Sequence, residues 1–448
     1  MYKNQFTQSE AREALRYLKR GICPHKNINF FTVGLDSEIN LIRNTLESIR
    51  SGAIIGKSYF LEAPYGYGKS YLLKVVESLA LEQKFAVTQV THDGYDRAFN
   101  HPPRYIHHLF ENLSIPGLST RGLGNVIPHL LKGSQRNSLL CWANTPRVRW
   151  GIGYYVRQTA NTSDSADSSH LRYFINCHDI QRRGTSYYHL LYEKLKTLVE
   201  LCRAIGLSGL VVLFDEVESV ATLLRNILSR LRSYEILGKL CDSREFLYCC
   251  FCFAVTQDFG WKIEKGDYRW EYQYYKDLYA EGCKFLDGWT KNRFPLLRIQ
   301  KISKADNRDL CLTLMKLHEY AYSWSTQHQI SRSFIESYID EAERHSLIER
   351  DIVRCFVNTL DICQQHPSCN PSQELSLPVR MGLVERLRGQ GLEVIDKRPS
   401  GGALWVVGGL GLMKILQQLG DQRVSFKFAS GGGQATRDRP AWWTRDPV

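Results

Sequence analysis

The stretch Ala63-Pro64-Tyr65-Gly66-Tyr67-Gly68-Lys69-Ser70 has the residue types and spacing of a loop that cradles the phosphates of a nucleoside triphosphate. Its glycines, Gly66 and Gly68, let the backbone curl so that successive N–H groups converge on one anion. Lys69 is placed to reach β- and γ-phosphate oxygens, Ser70 to ligate Mg²⁺, and Tyr71 follows on the same turn. Ala63 departs from the Gly usual at the first position. A glycine-containing turn without a ligand would carry similar letters, so the flanks decide. Ser58–Leu61 reads as a strand and Tyr71–Leu81 as an amphipathic helix, whose N-terminus presents unpaired N–H groups to an anion. Gly56-Lys57-Ser58 is a weaker echo of the motif, and is expected to be an ordinary turn before the strand.

Such a loop needs a second, acidic site. Gly209–Phe214 is a continuous apolar strand ending in Asp215-Glu216. Asp215 would meet the Mg²⁺ shell, and Glu216 would orient the attacking water and take its proton. A solvated helix start is the competing reading of either carboxylate alone. The next apolar run, Phe246–Val255, ends in Thr256-Gln257-Asp258. Thr256 or Gln257 could stand between the acidic pair and the γ-phosphate, though polar residues end most strands. Arg293 follows in Lys291-Asn292-Arg293-Phe294-Pro295, where it would complete a neighbouring subunit's nucleotide site or be an ordinary solvated arginine.

The elements that position these residues follow from periodicity. Helical spacing marks Thr7–Arg20 and Ser37–Ile49, with a turn at Phe31-Thr32-Val33-Gly34 between them. The strand–loop–helix of the phosphate motif continues into a strand at Phe85–His92, the entry to a parallel sheet. Gly117–Ser169 breaks the rhythm with Gly, Ser and Asn and is expected to be an insertion or flexible loop. Tyr187–Ile205 is a long helix, and the core closes near Ile299. Asn307–Cys363 is helical throughout. Pro367–Pro378 is a polar linker, and Leu383–Leu387, Leu392–Asp396, Leu404–Val407, Leu412–Leu419 and Val424–Phe428 suggest an α-β-β-α-β module.

A chain of 448 residues with 43% hydrophobic content exceeds what one core usually serves. Met1–Arg20 has no secretory pattern, and no apolar run approaches the ~20 residues that span a bilayer. The expected compartment is therefore the cytoplasm, with no membrane partner. The 13 cysteines are scattered in apolar runs, as reduced core thiols are. Cys363, His366 and Cys369 have ligand-like spacing but lack a fourth ligand. A net charge of +12 favours a polyanionic partner such as DNA. The C-terminal module interleaves Trp405, Phe426, Phe428, Trp442 and Trp443 with Lys397, Arg398, Lys427, Arg437 and Arg439. That suits bases and phosphates, or equally an aromatic core under a basic surface.

In this order the parts resemble the AAA+ ATPases of the origin-recognition type and, more narrowly, the bacterial phage-exclusion (BREX) ATP-binding proteins. The narrower resemblance rests on Glu13-Ala14-Leu15-Arg16 with Gly21 and Pro24, on Phe31–Gly34, on Tyr65–Ser70, on Asp215-Glu216-Val217-Glu218, and on Arg350-Asp351-Ile352-Val353-Arg354 with Phe356 and Leu360-Asp361. It implies an α/β fold: residues 1–50 as N-terminal helices with an adenine-side loop, 51–300 as a P-loop core interrupted by an insertion at 117–170, 301–366 as a helical lid, and 379–448 as a small α/β module. It implies ATP and Mg²⁺ as cofactors, adenine contact at Val33 and Gly34, and a nucleotide sensor at Arg350, with Arg354 one turn away as the alternative. It further implies homo- or hetero-oligomers and partner proteins of an anti-phage system. Two functions stay open: an ATPase acting on DNA or a DNA-bound complex, and a nucleotide-gated scaffold that recruits effectors without DNA-stimulated turnover. A translocating helicase is disfavoured because no second motor core is apparent.

Overall fold

Buried strands of an α/β sheet must be apolar on both faces, because helices cover both, and the sequence meets that demand. The computed structural model describes residues 6–24, 27–64, 67–92, 99, 102–148, 151–161, 169–175, 187–224, 226–242, 245–268, 272–326, 329–344, 347–366, 368, 369, 371, 384, 387, 392–397, 402–413, 416, 426–436 and 438–444. Five strands lie parallel: β1 (Gly56–Glu62), β2 (Phe85–Thr91), β3 (Gly209–Asp215), β4 (Cys249–Val255) and β5 (Leu296–Arg298). Their order is β2-β3-β4-β1-β5. Every residue of β3 and β4 is buried. Side chains alternate between faces: Leu210, Val212 and Phe214 join one core with Phe60, Phe251 and Phe253, while Val211 and Leu213 join the other with Tyr59, Leu61, Cys250 and Cys252.

Gly56-Lys57-Ser58 forms the first three residues of β1, in register with Cys249–Phe251, rather than the expected turn ahead of it. Pairing to a central apolar strand extends β1 beyond what its own propensity indicates. The 117–170 stretch is also more ordered than expected. It carries helices at Leu123–Lys132, Arg136–Ala143 and Ile152–Asn161, and at its edge Ser169–Ile175. Leu123, Val126, Ile127 and Leu130 are buried in the same core as the sheet's first face. The residues that suggested a loop are largely punctuation: Gly122, Gly133 and Asn144 cap these helices.

The chain divides into two compact units, 1–328 with 348–364, and 329–347 with 365–448. In the first, helices Asp36–Ser51 and Lys69–Glu82 cover one sheet face, and Gln8–Lys19 packs along Lys304–Tyr322. This is an α/β fold with a parallel-sheet core and appended helices. The second unit holds helix Arg332–Arg344 and a four-stranded antiparallel sheet: β6 (Glu393–Asp396), β7 (Leu404–Val407), β8 (Lys427–Ala429) and β9 (Ala441–Thr444), ordered β6-β7-β9-β8. β9 was not anticipated, since four residues carry no legible period until β7 and β8 pair with them. Most of the expected linker Pro367–Pro378 lies outside the described residues. Among the described residues, no helix is long and apolar enough to cross a membrane.

Candidate functional site

Because β1, β3 and β4 run parallel, their C-terminal ends share one edge, where open α/β sheets bind ligands. β4 lies between β1 and β3. Ala63 leaves β1 and donates its N–H to the Val255 carbonyl at 3.2 Å. Asp215 ends β3, and Thr256 follows β4, between the two. The chain therefore gathers at one edge the ends of three strands that lie up to nearly two hundred residues apart in sequence.

Tyr65 and Gly66 lie outside the described residues. On either side of them the loop closes on itself. The Tyr67 N–H donates to the Pro64 carbonyl at 3.3 Å, and Gly68 takes a left-handed conformation (φ +83°) as the N-cap of Lys69–Glu82. No side chain caps that helix, so its first N–H groups point toward the loop, as an anion requires. Lys69 is buried, and its ammonium donates to the Ala63 carbonyl at 3.3 Å. Ser70 is exposed. Among the described residues no cluster of three His, Cys, Asp or Glu side chains could hold a metal. Mg²⁺ seldom requires one, since it keeps several waters and relies on one or two protein ligands together with phosphate oxygens. A hydroxyl at Ser70 and a carboxylate at Asp215 are chemically suited to it.

At the acidic end, Asp215 is buried, and its Oδ1 accepts the Glu216 N–H at 3.0 Å. Glu216 is half-buried, with φ +56°. A non-glycine residue there costs on the order of 1 kcal/mol and persists only where its surroundings hold it. The strain turns the chain sharply: Ser219 N–H returns to the Glu216 carbonyl at 3.0 Å, and Val217 N–H reaches the Ala254 carbonyl at 3.1 Å. That turn folds Glu218 inward until it is 7% exposed, with Oε2 lacking a hydrogen-bond partner. Burial first, then the nearby Glu216 carboxylate, pushes the Glu218 carboxyl up to about 8, against the opposing pull of Lys69. Glu218 was legible in sequence only as part of the resemblance motif and had no role assigned.

Thr256 is half-buried and caps Gln257–Lys262, with no hydrogen bond from its side chain to that helix. Gln257, its alternative, is exposed. Arg293 lies on the N-terminal side of β5, away from the edge that carries the phosphate loop. Its side chain is 64% exposed and stands 3.9 Å from Asp287. Arg298, which the sequence did not single out, ends β5 beside the loop's root and pairs with Glu62 at 3.2 Å. An arginine ending a strand gives no signal in sequence.

Tyr71 is turned to structure. Its hydroxyl donates to the Ile28 carbonyl at 2.8 Å and shares a hydrogen bond with Thr32 at 2.8 Å, tying the phosphate-loop helix to the turn that carries Val33 and Gly34. Burial raises the phenol above its ordinary range. Gly34 has φ +67°, and a Cβ there would stand 3.2 Å from Asp306 Oδ2 and 3.6 Å from Ile302, so a larger residue would be strained whatever the ligand. The Ile302 N–H donates to Glu349 Oε1 at 3.3 Å, which brings the start of helix Glu349–Gln365 to the same corner. Arg350, exposed, runs its stem over Gly21, where a Cβ would approach within 2.9 Å. Arg354, the alternative sensor, pairs with Asp351 at 3.3 Å.

Further along that helix, Asp361 accepts from Lys19 Nζ at 2.6 Å and from His318 Nε2 at 2.9 Å. His318 Nδ1 accepts from Trp324 Nε1 at 2.9 Å, which fixes the proton on Nε2. Burial pushes the Asp361 carboxyl up, but the hydrogen bonds from His318 and Lys19 outweigh it and hold the group below the usual carboxylate range. A depressed folded value means stability that is present above the unfolded value, about 3.9, and lost as pH falls through the folded one. Asp361→Asn is expected to lower stability at pH 7 by about 1–3 kcal/mol and to flatten the loss of stability on acidification. Thermal melts from pH 3 to 7 check this, and unchanged acid sensitivity would refute it.

In the C-terminal sheet, Trp442 packs with Leu387, Leu404, Val406 and Leu416, with Phe426 and Phe428 against them. These three aromatics are core. Trp405 and Trp443 occupy the other face in one row across the strands, Ile395–Trp405–Trp443–Lys427. The Trp rings are 6.0 Å apart, and the Lys427 ammonium lies 5.4 Å from the Trp443 ring. Arg439 forms a two-pronged pair with Glu393; Lys397 is described, and Arg398 and Arg437 lie outside the described residues.

A family model described as "BREX system ATP-binding protein BrxC/D" matches residues 7–137 and 188–378. No protein of curated function matches. Similar solved structures include Cdc6p from Pyrobaculum aerophilum, at 11% identity and TM-score 0.38, over 93% of this chain and 93% of that one. Another is the Aeropyrum pernix ORC1 protein in complex with DNA, at 11% identity and TM-score 0.32, over 93% of this chain and 90% of that one.

Proposed function

The chain belongs to the BREX system ATP-binding protein BrxC/D family, and from that premise we propose that it binds and hydrolyses ATP, acting on DNA or a DNA-bound complex in bacterial anti-phage defence. The observation that carries this reading is the single sheet edge where Lys69, Asp215, Glu216 and Thr256 meet. A site that only bound nucleotide would need the loop and Lys69. A strained Glu beside a buried Asp adds what hydrolysis needs.

In this reading, Lys69 exchanges the Ala63 carbonyl for β- and γ-phosphate oxygens, and the N-terminal amides of Lys69–Glu82 hold the β-phosphate. Mg²⁺, when bound, supplies charge neutralisation at the phosphates, with Ser70 and Asp215 as its protein ligands. Glu216 orients the attacking water and accepts its proton. Thr256 donates a hydrogen bond toward the γ-phosphate. Val33 and Gly34 contact the adenine, and Arg350 reads the nucleotide from the helical side.

The deciding experiment measures ATP turnover without DNA, with duplex and with single-stranded DNA. Stimulation supports the DNA-acting ATPase. Unstimulated turnover favours the nucleotide-gated scaffold, and absence of turnover under all three conditions rejects hydrolysis.

DNA contacts are assigned to the Trp405–Trp443–Lys427 face, because Trp442, Phe426 and Phe428 are used in packing. Binding is expected to weaken linearly in log K against log salt, by roughly 0.9 per phosphate contact on duplex DNA. Lys427→Ala is expected to weaken binding and reduce that slope by about one contact. Titrations at several salt concentrations check this. An unchanged slope removes Lys427 from the interface, and no binding at low salt removes DNA from the reading.

A further inference from the structure

Two buried oxygens beside the Gly34 turn lack a donor. Glu349 is 8% exposed and Asn307 2%, and among the described residues neither Glu349 Oε2 nor Asn307 Oδ1 has a hydrogen-bond partner. Buried side-chain oxygens are seldom left so, because an unmade bond leaves their desolvation uncompensated. The other atoms of both groups are committed to one residue. Glu349 Oε1 accepts the Ile302 N–H at 3.3 Å, and Asn307 Nδ2 donates to the Ile302 carbonyl at 3.5 Å. The second bond fixes which end of the amide is the oxygen. Ile302 in turn borders the turn, its Cγ2 lying 3.6 Å from where a Cβ on Gly34 would stand. Gly34 is exposed and Val33 half-buried, so the turn is open to a ligand. Thr32 and Tyr71 tie that turn to the phosphate-loop helix. We infer that Glu349, with Asn307, sets the base specificity of the nucleotide site: the two oxygens accept hydrogen bonds from the amino group at position 6 of adenine. This inference rests on the reading that Val33 and Gly34 contact the base.

The chemistry matches donor to acceptor. An exocyclic amine carries two N–H donors, and the corner offers two acceptors held in place by the Ile302 backbone. A 6-oxo purine presents a carbonyl oxygen at the same position, where it would face the Glu349 and Asn307 oxygens and leave all three without a donor. A site built around a buried hydrogen-bonding group rejects an analogue that cannot complete the bond far more strongly than a pocket that reads shape alone.

The test measures the affinity of the full-length chain for ATP, ITP and purine riboside triphosphate by competition with a fluorescent ATP analogue. ITP carries a carbonyl oxygen at position 6, and purine riboside triphosphate only hydrogen. The wild type is expected to bind ATP at least about tenfold more tightly than either. In E349Q the amide oxygen can keep the Ile302 N–H while its NH₂ faces the base; ATP is expected to weaken about tenfold and the preference over ITP to vanish or reverse. N307A, which leaves Glu349 in place, is expected to lower the ATP:ITP ratio about threefold. A corner merely loosened would weaken all three nucleotides alike, so the ratio is the readout. Equal affinity of the wild type for ATP and purine riboside triphosphate overturns the inference, as does an unchanged ATP:ITP ratio in E349Q. Thermal melts identify a variant that fails to fold; if E349Q does, an unchanged ratio in N307A overturns the inference instead. A wild type that binds none of the three overturns the nucleotide reading itself, and the inference with it.

Discussion

Lys69→Ala is expected to abolish ATP binding, whereas Glu216→Gln is expected to leave binding intact and slow turnover by about 10²-fold or more. The split follows from what each group can do. Lys69 is the ammonium at the start of the phosphate-loop helix, already buried and hydrogen-bonded to Ala63. Its removal takes away the charge that phosphate oxygens would meet in the ground state. Glu216 approaches no ground-state phosphate charge favourably. A neutral amide there keeps the shape and loses the base, so the effect falls on the chemical step. Binding titration with an ATP analogue, set beside steady-state turnover, separates the two. Equal loss of binding in both variants would refute the assigned roles.

Arg293→Ala is expected to lower turnover at least about 10²-fold while leaving nucleotide binding in place, because arginine fingers act on transition-state charge. Two observations motivate it. The side chain is 64% exposed with a distant partner in Asp287, and it sits on the N-terminal side of β5, remote from its own phosphate loop. An arginine so placed serves a neighbour or nothing. Mixing Arg293→Ala with Lys69→Ala subunits should recover part of the activity, since one variant supplies an intact loop and the other an intact arginine. Full activity of Arg293→Ala alone would remove the finger, and with it the motive for expecting ATP-dependent self-association.

The candidate phosphate loop and the buried acidic strand could be picked out because each is local: eight consecutive residues make the one, and Gly209–Glu216 carries both the buried strand and the proposed acidic pair in one run. Strands β2, β3 and β4 and most of β1 were legible for the same reason, since buried strands announce themselves as apolar runs, whereas the three residues of β5 were not. What failed was context. The 117–170 segment read as a loop because Gly122, Gly133 and Asn144 are identical in sequence whether they cap helices or fill loops. β9 was invisible because four residues become a strand only through their neighbours. The five aromatics of the C-terminal module looked alike until the sheet sorted Trp442, Phe426 and Phe428 to one face and Trp405 and Trp443 to the other.

The sequence by itself determined the candidate residues for the proposed chemistry, because the proposed phosphate loop and the Asp-Glu pair are each contiguous runs whose residue types suit phosphate and Mg²⁺. Only the tertiary structure decided which of them share one edge of the sheet. The order β2-β3-β4-β1-β5 places Thr256 between the loop and the acids, and nothing in the linear order of the strands requires that insertion. Likewise only the fold buries Glu218, through the strained turn at Glu216. A carboxyl's charge state depends on the medium around it, and the medium is set by packing that no run of letters specifies.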